Sequence, residues 1–169
     1  MGLSPSQKLH NTASRAHTST SGKAYLHLMS CQLQAIRWII SFFITKTSFF
    51  SGDTLFSAGC GRVFEGTTEQ MLTSLHKIAA LHDDTLIYCA HEYTADNLAF
   101  AQSIEPNNDA IKHHINTIKK KPCSLPSYLG LERRINPFLR LDTIAKQKQW
   151  TSHSTLQIFE TLRAQKNNW

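Results

Sequence analysis

A chain of 169 residues is long enough for one substantial core or for two small domains. Its composition, 41% apolar and 18% charged, excludes an intrinsically disordered chain, and its longest apolar run, around Ile39 to Ile44, is too short to cross a bilayer. The net charge of +6 is scattered rather than gathered into a stripe, which argues against nucleic-acid binding and suits a small anionic substrate.

Cys31, Cys60, Cys89 and Cys123 form no CxxC pair and read as free thiols of a reducing compartment. Cys89 sits in a strand-like run and is expected to be buried. No basic, apolar, small-residue progression marks a signal peptide, so a soluble cytoplasmic protein is expected.

Residues 1–35 show neither helical nor strand period. His10, His17 and His27 are spaced by seven and ten positions, which matches no compact metal motif, so they read as exposed loop residues. From Ile39 the texture changes. Ile39-Ile40-Ser41-Phe42-Phe43-Ile44 is β-branched and aromatic, and the segment from Ser48 to Ser51 predicts a second short strand, antiparallel to the first. Gly52 permits a sharp exit that places Asp53. Gly59, Gly61 and Gly66 then predict a bent loop.

Thr67 with Gln70 predicts a capping box, and Met71, Leu72, Leu75, Ile78, Ala79 and Leu81 follow at helical spacing. His76 and His82 fall on its solvent side or at its end. The segment from Thr85 to Cys89 reads as a buried strand that delivers His91. Helix, turn, strand and polar loop is α/β organisation. Beyond residue 93 the pattern is helical. Helices are predicted over 94–104, after Asn108, over 127–134 and from about Ser154 to Lys166, where Ser154 and Gln157 offer a second capping box. His113 and His114 are adjacent on one of these helices and read as surface residues.

Asp53 and His91 therefore sit at the C-terminal ends of two strand-like runs, where α/β folds carry their chemistry. A carboxylate and an imidazole can share a divalent metal, and a carboxylate can bridge two ions, but a catalytic zinc takes about three protein ligands. Arg163 and Lys166 lie three apart on one helix face and, with Arg62, can receive the carboxylates of a small anion. The plainer alternative for that pair is a basic helix end. Tyr93 is either a hydroxyl donor in the same site or an interfacial ring.

Five stretches together resemble glyoxalase II, hydroxyacylglutathione hydrolase, of the metallo-β-lactamase superfamily. They are Ser51-Gly52-Asp53-Thr54-Leu55-Phe56-Ser57-Ala58-Gly59-Cys60-Gly61-Arg62-Val63-Phe64-Glu65-Gly66-Thr67, Tyr88-Cys89-Ala90-His91-Glu92-Tyr93-Thr94, Glu105-Pro106-Asn107, Asn136-Pro137-Phe138-Leu139-Arg140 and Phe159-Glu160-Thr161-Leu162-Arg163-Ala164-Gln165-Lys166. The resemblance covers roughly residues 40–169 and is to the C-terminal part of the family alone. It implies an α/β fold: the second half of an αββα metallo-β-lactamase sandwich over residues 36–93, then a small all-helical domain over 94–169 that binds glutathione conjugates. Residues 1–35 are expected to be non-homologous.

The resemblance also implies an activity, hydrolysis of S-lactoylglutathione to glutathione and D-lactate in methylglyoxal detoxification. The family does this at a centre of two zinc ions, sometimes iron or manganese, where a metal-bound hydroxide attacks the thioester. Carried over by residue, Asp53 is the bridging carboxylate and His91 a terminal ligand. Arg62, Tyr93, Arg163 and Lys166 are substrate contacts, and Phe64 stands where some members have tyrosine. Ala90 replaces the usual glycine before the ligand histidine. The family's Thr-His-x-His-x-Asp-His motif does not occur, and Ala35 takes the place of a third ligand histidine if the register runs back without a gap. These departures predict a truncated or frame-disrupted product with impaired catalysis. The alternatives are a remnant that binds glutathione conjugates weakly, or a helical interaction module. The family is mostly monomeric; here exposed apolar surface is expected to favour self-association.

Overall fold

A computed structural model describes residues 44–45 and 48–169. The expectations for residues 1–35, for most of the first strand and for Cys31 lie outside the described residues. Two short strands, β1 (Ile44–Thr45) and β2 (Ser48–Gly52), pair antiparallel as predicted. The glycine loop is more regular than expected: β3 (Leu55–Phe56) and β4 (Gly59–Cys60) form an antiparallel hairpin. Helix α1 (Thr68–Ala79) carries the predicted Thr67–Gln70 capping box, with Thr67 Oγ1 accepting from the Gln70 N–H and the Gln70 side chain accepting from the Thr67 N–H. Strand β5 (Leu86–Cys89) follows.

Strand β5 lies parallel to β2, with Phe49 opposite Ile87 and Phe50 opposite Tyr88. This strand–helix–strand unit sends both C-terminal ends to the same edge of the sheet. Between Phe50 and Gly52 the register slips by one residue, a bulge that bends β2 just before Asp53. Gly52 takes φ 52°, where side chains are disfavoured.

The helical part then runs α2 (Thr94–Ile104), α3 (Asp109–Ile118), β6 (Ser127–Tyr128), α4 (Leu129–Ile135), a 3-10 turn (Pro137–Leu139), α5 (Leu141–Gln147) and α6 (Thr155–Asn167). Asn108 caps α3 by accepting from the Ala110 N–H, and Ser154 with Gln157 closes the second predicted capping box on α6. Two features depart from the sequence reading. Ser127 and Tyr128, at the start of the helix predicted over 127–134, instead form a strand, pairing antiparallel with β5 and completing the order β1-β2-β5-β6, and the helix begins at Leu129. Leu141–Gln147 is a helix that its short apolar pattern did not announce.

One core crosses the point where the sequence turns helical. Phe49, Leu75 and Ile87 pack in the same cluster as Phe100, Phe138, Phe159 and Leu162. Burying such side chains stabilises by about 1.5–3 kcal/mol each. Two of the resembling motifs meet in this framework. Arg140 donates through Nε and Nη2 to the two carboxylate oxygens of buried Glu105, at 2.8 and 2.9 Å, a bidentate pair that joins the Glu105-Pro106-Asn107 turn to the Asn136–Arg140 segment.

Two burial expectations need correction. Cys89 is half-buried rather than buried, because only Ile87 of β5 is fully enclosed. His114 is half-buried too, with Nε2 enclosed and unpaired, whereas His113 is exposed as expected. Burial, helped by Lys121 and His113, pulls the His114 imidazole below the usual histidine range. On the other sheet face Phe50 stacks on Tyr88 at 5.0 Å between ring centroids, and Phe50 and Tyr128 remain exposed.

Candidate functional site

The seven candidate residues fall into two groups. The first is Asp53, His91 and Tyr93. Asp53 leaves β2 and His91 leaves β5 at the same sheet edge, and His91 Nε2 lies 3.5 Å from Asp53 Oδ1. Both side chains are about half exposed, at 53% and 54%, so the pair faces solvent rather than the core. Tyr93 stacks on His91 at 5.2 Å between ring centroids, and the buried Phe56 ring sits edge-on to Tyr93 at 5.2 Å and 6.2 Å from His91.

Local hydrogen bonds explain the placement. Ser51 Oγ donates to the Leu55 carbonyl at 2.7 Å, and the Thr54 N–H donates to the Ser51 carbonyl, closing the turn that presents Asp53. The Gly61 N–H donates to the Thr54 carbonyl, and a side chain at Gly61 would fall on the Asp53 carbonyl oxygen. On the other side Cys89 Sγ donates to the His91 carbonyl, and Glu92 accepts from the Ser124 N–H at 2.6 Å and from Cys123 Sγ. Those donors hold the Glu92 carboxyl below its ordinary range.

The second group is Arg62, Phe64, Arg163 and Lys166. A pocket of about 400 Å³ is lined by Arg62, Phe64, Arg163, Thr68, Glu160 and Asn167, among others, but not by Asp53, His91, Tyr93 or Lys166. Arg62 and Phe64 are exposed there. Arg163 is buried, and much of its fork is engaged within the protein. Its Nη1 donates to the Cys60 and Gly61 carbonyls at 2.8 and 3.3 Å, its Nε donates to Asn167 Oδ1, and its guanidinium covers the Phe138 ring. Arg163 thereby ties α6 to the glycine loop that backs Asp53. Its neighbour Cys60 is buried, and that burial pushes the thiol up to about 11.

Lys166 donates to the Asp96 carbonyl at 3.3 Å and lies over the Phe100 ring. Burial and the nearby positive charges of Arg163 and Arg62 pull its ammonium below the usual lysine range, against the opposing pull of Asp96. Lys166 thus lies within the fields of Arg163 and Arg62, although only those two arginines line the pocket.

A carboxylate and an imidazole are the right donor types for a divalent cation. Their number falls short. Among the described residues no group of three or more His, Cys, Asp or Glu side chains converges. The pair makes part of a coordination shell, not a complete one, and no catalytic step can be derived through a metal from it.

Residues 92–169 match the family model described as "Hydroxyacylglutathione hydrolase C-terminus". The chain is similar to the C-terminal part of hydroxyacylglutathione hydrolases. It is 53% identical over 126 residues to the hydroxyacylglutathione hydrolase of Pectobacterium carotovorum subsp. carotovorum, covering 70% of this chain and 50% of that protein. It is 50% identical over 137 residues to the hydroxyacylglutathione hydrolase of Pseudomonas savastanoi pv. phaseolicola, covering 74% and 52%. The chain spans about half the length of the curated hydroxyacylglutathione hydrolases it matches. A crystal structure of a metallo-β-lactamase from Staphylococcus aureus aligns over 70% of this chain and 30% of that one, at 18% identity and a TM-score of 0.37. Among the described residues no helix is long and apolar enough to cross a membrane.

Sequence reasoning missed the supports of the site. Glu132, Asn136 and Asn97 are buried polar residues that hold the β3–β4 turn. For Asn97 and Glu132 the available signal was a polar residue at a helix position otherwise facing the core, while Asn136 stands just past the end of α4 in a motif already noted.

Proposed function

We propose that this chain acts on the glutathione thioester of the hydroxyacylglutathione hydrolase reaction, S-lactoylglutathione to glutathione and D-lactate, in the cytoplasmic detoxification of methylglyoxal. The carrying observation is that Arg62 and Arg163 line one pocket and that Lys166 lies close enough for their positive charge to add to burial in disfavouring its ammonium. Holding like charges together costs stability, and an anionic ligand offsets that cost. Glutathione brings carboxylates, and the pocket beside these residues is open to them.

In this reading residues 94–169 form the conjugate-binding domain and 36–93 the part that carries metal ligands. Arg62, Phe64, Tyr93, Arg163 and Lys166 contact the substrate, Arg163 with the part of its fork not given to Cys60 and Gly61. Asp53 and His91 contribute to a zinc site of the family's two-ion type, which iron or manganese can also fill. A bound metal would supply an activated water there.

A second reading, binding of glutathione conjugates without turnover, is favoured by the short count of converging donors among the described residues. Elemental analysis, a thioesterase assay on S-lactoylglutathione and calorimetric titration with a non-hydrolysable glutathione conjugate separate the two. Turnover with stoichiometric metal supports the hydrolase. Binding without turnover, weakened by Arg62→Ala, supports the second reading. Absence of both binding and turnover overturns both.

A further inference from the structure

Glu132 has no exposed surface, and its hydrogen-bond partners are all neutral. Oε1 accepts from Ser57 Oγ at 2.8 Å and from Ser127 Oγ at 2.5 Å. Oε2 accepts from the Ala58 N–H at 2.7 Å and from Asn136 Nδ2 at 3.1 Å. One carboxylate thus joins the β3–β4 turn, strand β6 and the end of α4. Burying a carboxyl without a counter-charge is expensive, and an apolar residue of the same size is commonly as stable or more so. Stability therefore does not account for a glutamate at this position. Its geometry does.

The turn it grips is strained. Ala58 takes φ 57°, the left-handed region that costs a residue other than glycine about 1 kcal/mol. The Glu132–Ala58 bond holds it there. Asn136 Nδ2 adds bonds to the Phe56 and Gly59 carbonyls, at 3.2 and 3.0 Å. Asn97 Nδ2 donates to the Ser57 carbonyl at 3.0 Å, while the Asn97 N–H donates to the Tyr93 carbonyl at 2.9 Å. Phe56, the residue entering the turn, lies against both Tyr93 and His91.

We propose that Glu132 is a positioning residue for the candidate site: its carboxylate fixes the Ser57–Ala58 turn, and the turn holds Phe56 against His91 and Tyr93. This rests on the reading of His91 and Tyr93 as site residues, but its test does not depend on turnover. In the full chain, nuclear Overhauser contacts are measured between Phe56 and Tyr93, between Phe56 and His91, and, as a distant reference, between Phe138 and Phe159, whose rings lie 5.8 Å apart.

Glu132→Met keeps the bulk and removes the acceptors. It is expected to lose both Phe56 contacts and to retain the reference. Glu132→Gln is expected to rescue them. Its amide can turn so that the oxygen accepts from Ala58 and Asn136 while the nitrogen donates to the two serine hydroxyls, which accept as readily as they donate. Retention of the Phe56 contacts in Glu132→Met, or their loss in Glu132→Gln, overturns the proposal. If Glu132→Met does not fold, Ser57→Ala decides: weakened Phe56 contacts support the proposal and unchanged ones overturn it. A chain inactive in the thioesterase assay but showing this pattern refutes the hydrolase reading alone.

Discussion

The Ala90 N–H donates to the Gly52 carbonyl at 3.1 Å, one residue before each of the two candidate ligands. This bond fastens the C-terminal ends of β2 and β5 together and leaves Asp53 and His91 side by side. Because both side chains are half exposed, removing either should leave the fold within about 0.5 kcal/mol of the wild type. His91→Ala is expected to lower zinc affinity at least about tenfold, read by competition with a chromophoric chelator, without shifting the urea midpoint. Unchanged affinity would mean that any bound zinc sits elsewhere.

Gly61 lies where a methyl group would strike the Asp53 carbonyl oxygen. That neighbour is backbone and cannot swing aside. Gly61→Ala is expected to destabilise by about 1–3 kcal/mol, the usual range for overpacking, and to displace the Asp53 turn. Urea denaturation checks the first effect, and the amide shifts of residues 53–55 check the second.

Lys166 carries its charge reluctantly. Its folded-state pKa is below the ordinary 10.5, so the ammonium costs stability at neutral pH, and that cost fades as pH rises through the folded value toward 10.5. Lys166→Met should therefore hold or raise the melting temperature at pH 7. If Lys166 meets a glutathione carboxylate, the same variant should weaken conjugate binding about tenfold, a loss near 1.4 kcal/mol. The opposite signs distinguish a ligand contact from a structural lysine.

Glu132 behaves in the reverse sense to a salt-bridged carboxylate. Burial raises its pKa above the ordinary 4.5, with the hydrogen bonds from Ser127, Ala58, Ser57 and Asn136 opposing. The fold thus binds this proton more tightly than the unfolded chain does. Its contribution to stability is full below pH 4.5 and is lost as pH rises through the folded value. Glu132→Gln should flatten that segment of the stability–pH curve, as measured by urea midpoints at successive pH values.

How far the sequence reveals this protein depends on the kind of interaction. Both capping boxes were legible because Thr67 with Gln70 and Ser154 with Gln157 act over three residues, within reach of a local reading. The Asp53–His91 pair was legible because two strand ends in a strand–helix–strand unit point to one edge. Strand β6 was not. Ser127 and Tyr128 are extended because β5 lies beside them, a contact separated by about forty residues of chain. The Glu132 network joins positions still farther apart, and its members look like ordinary polar residues until the fold encloses them. Arg163 was read as a free cation on a helix end. It is buried because Cys60 and Gly61 present carbonyls to it, which no spacing along α6 discloses.

The thiol enclosed beneath Arg163 has a practical consequence. Burial pushes the Cys60 thiol up to about 11, so little thiolate forms at pH 7, and the side chain is buried at 6% exposure. Cys123 stands in the open loop beside Glu92. A maleimide dye should therefore mark Cys123 and leave Cys60 untouched until the chain unfolds, so that delayed alkylation becomes a clock for the opening of α6 away from the glycine loop.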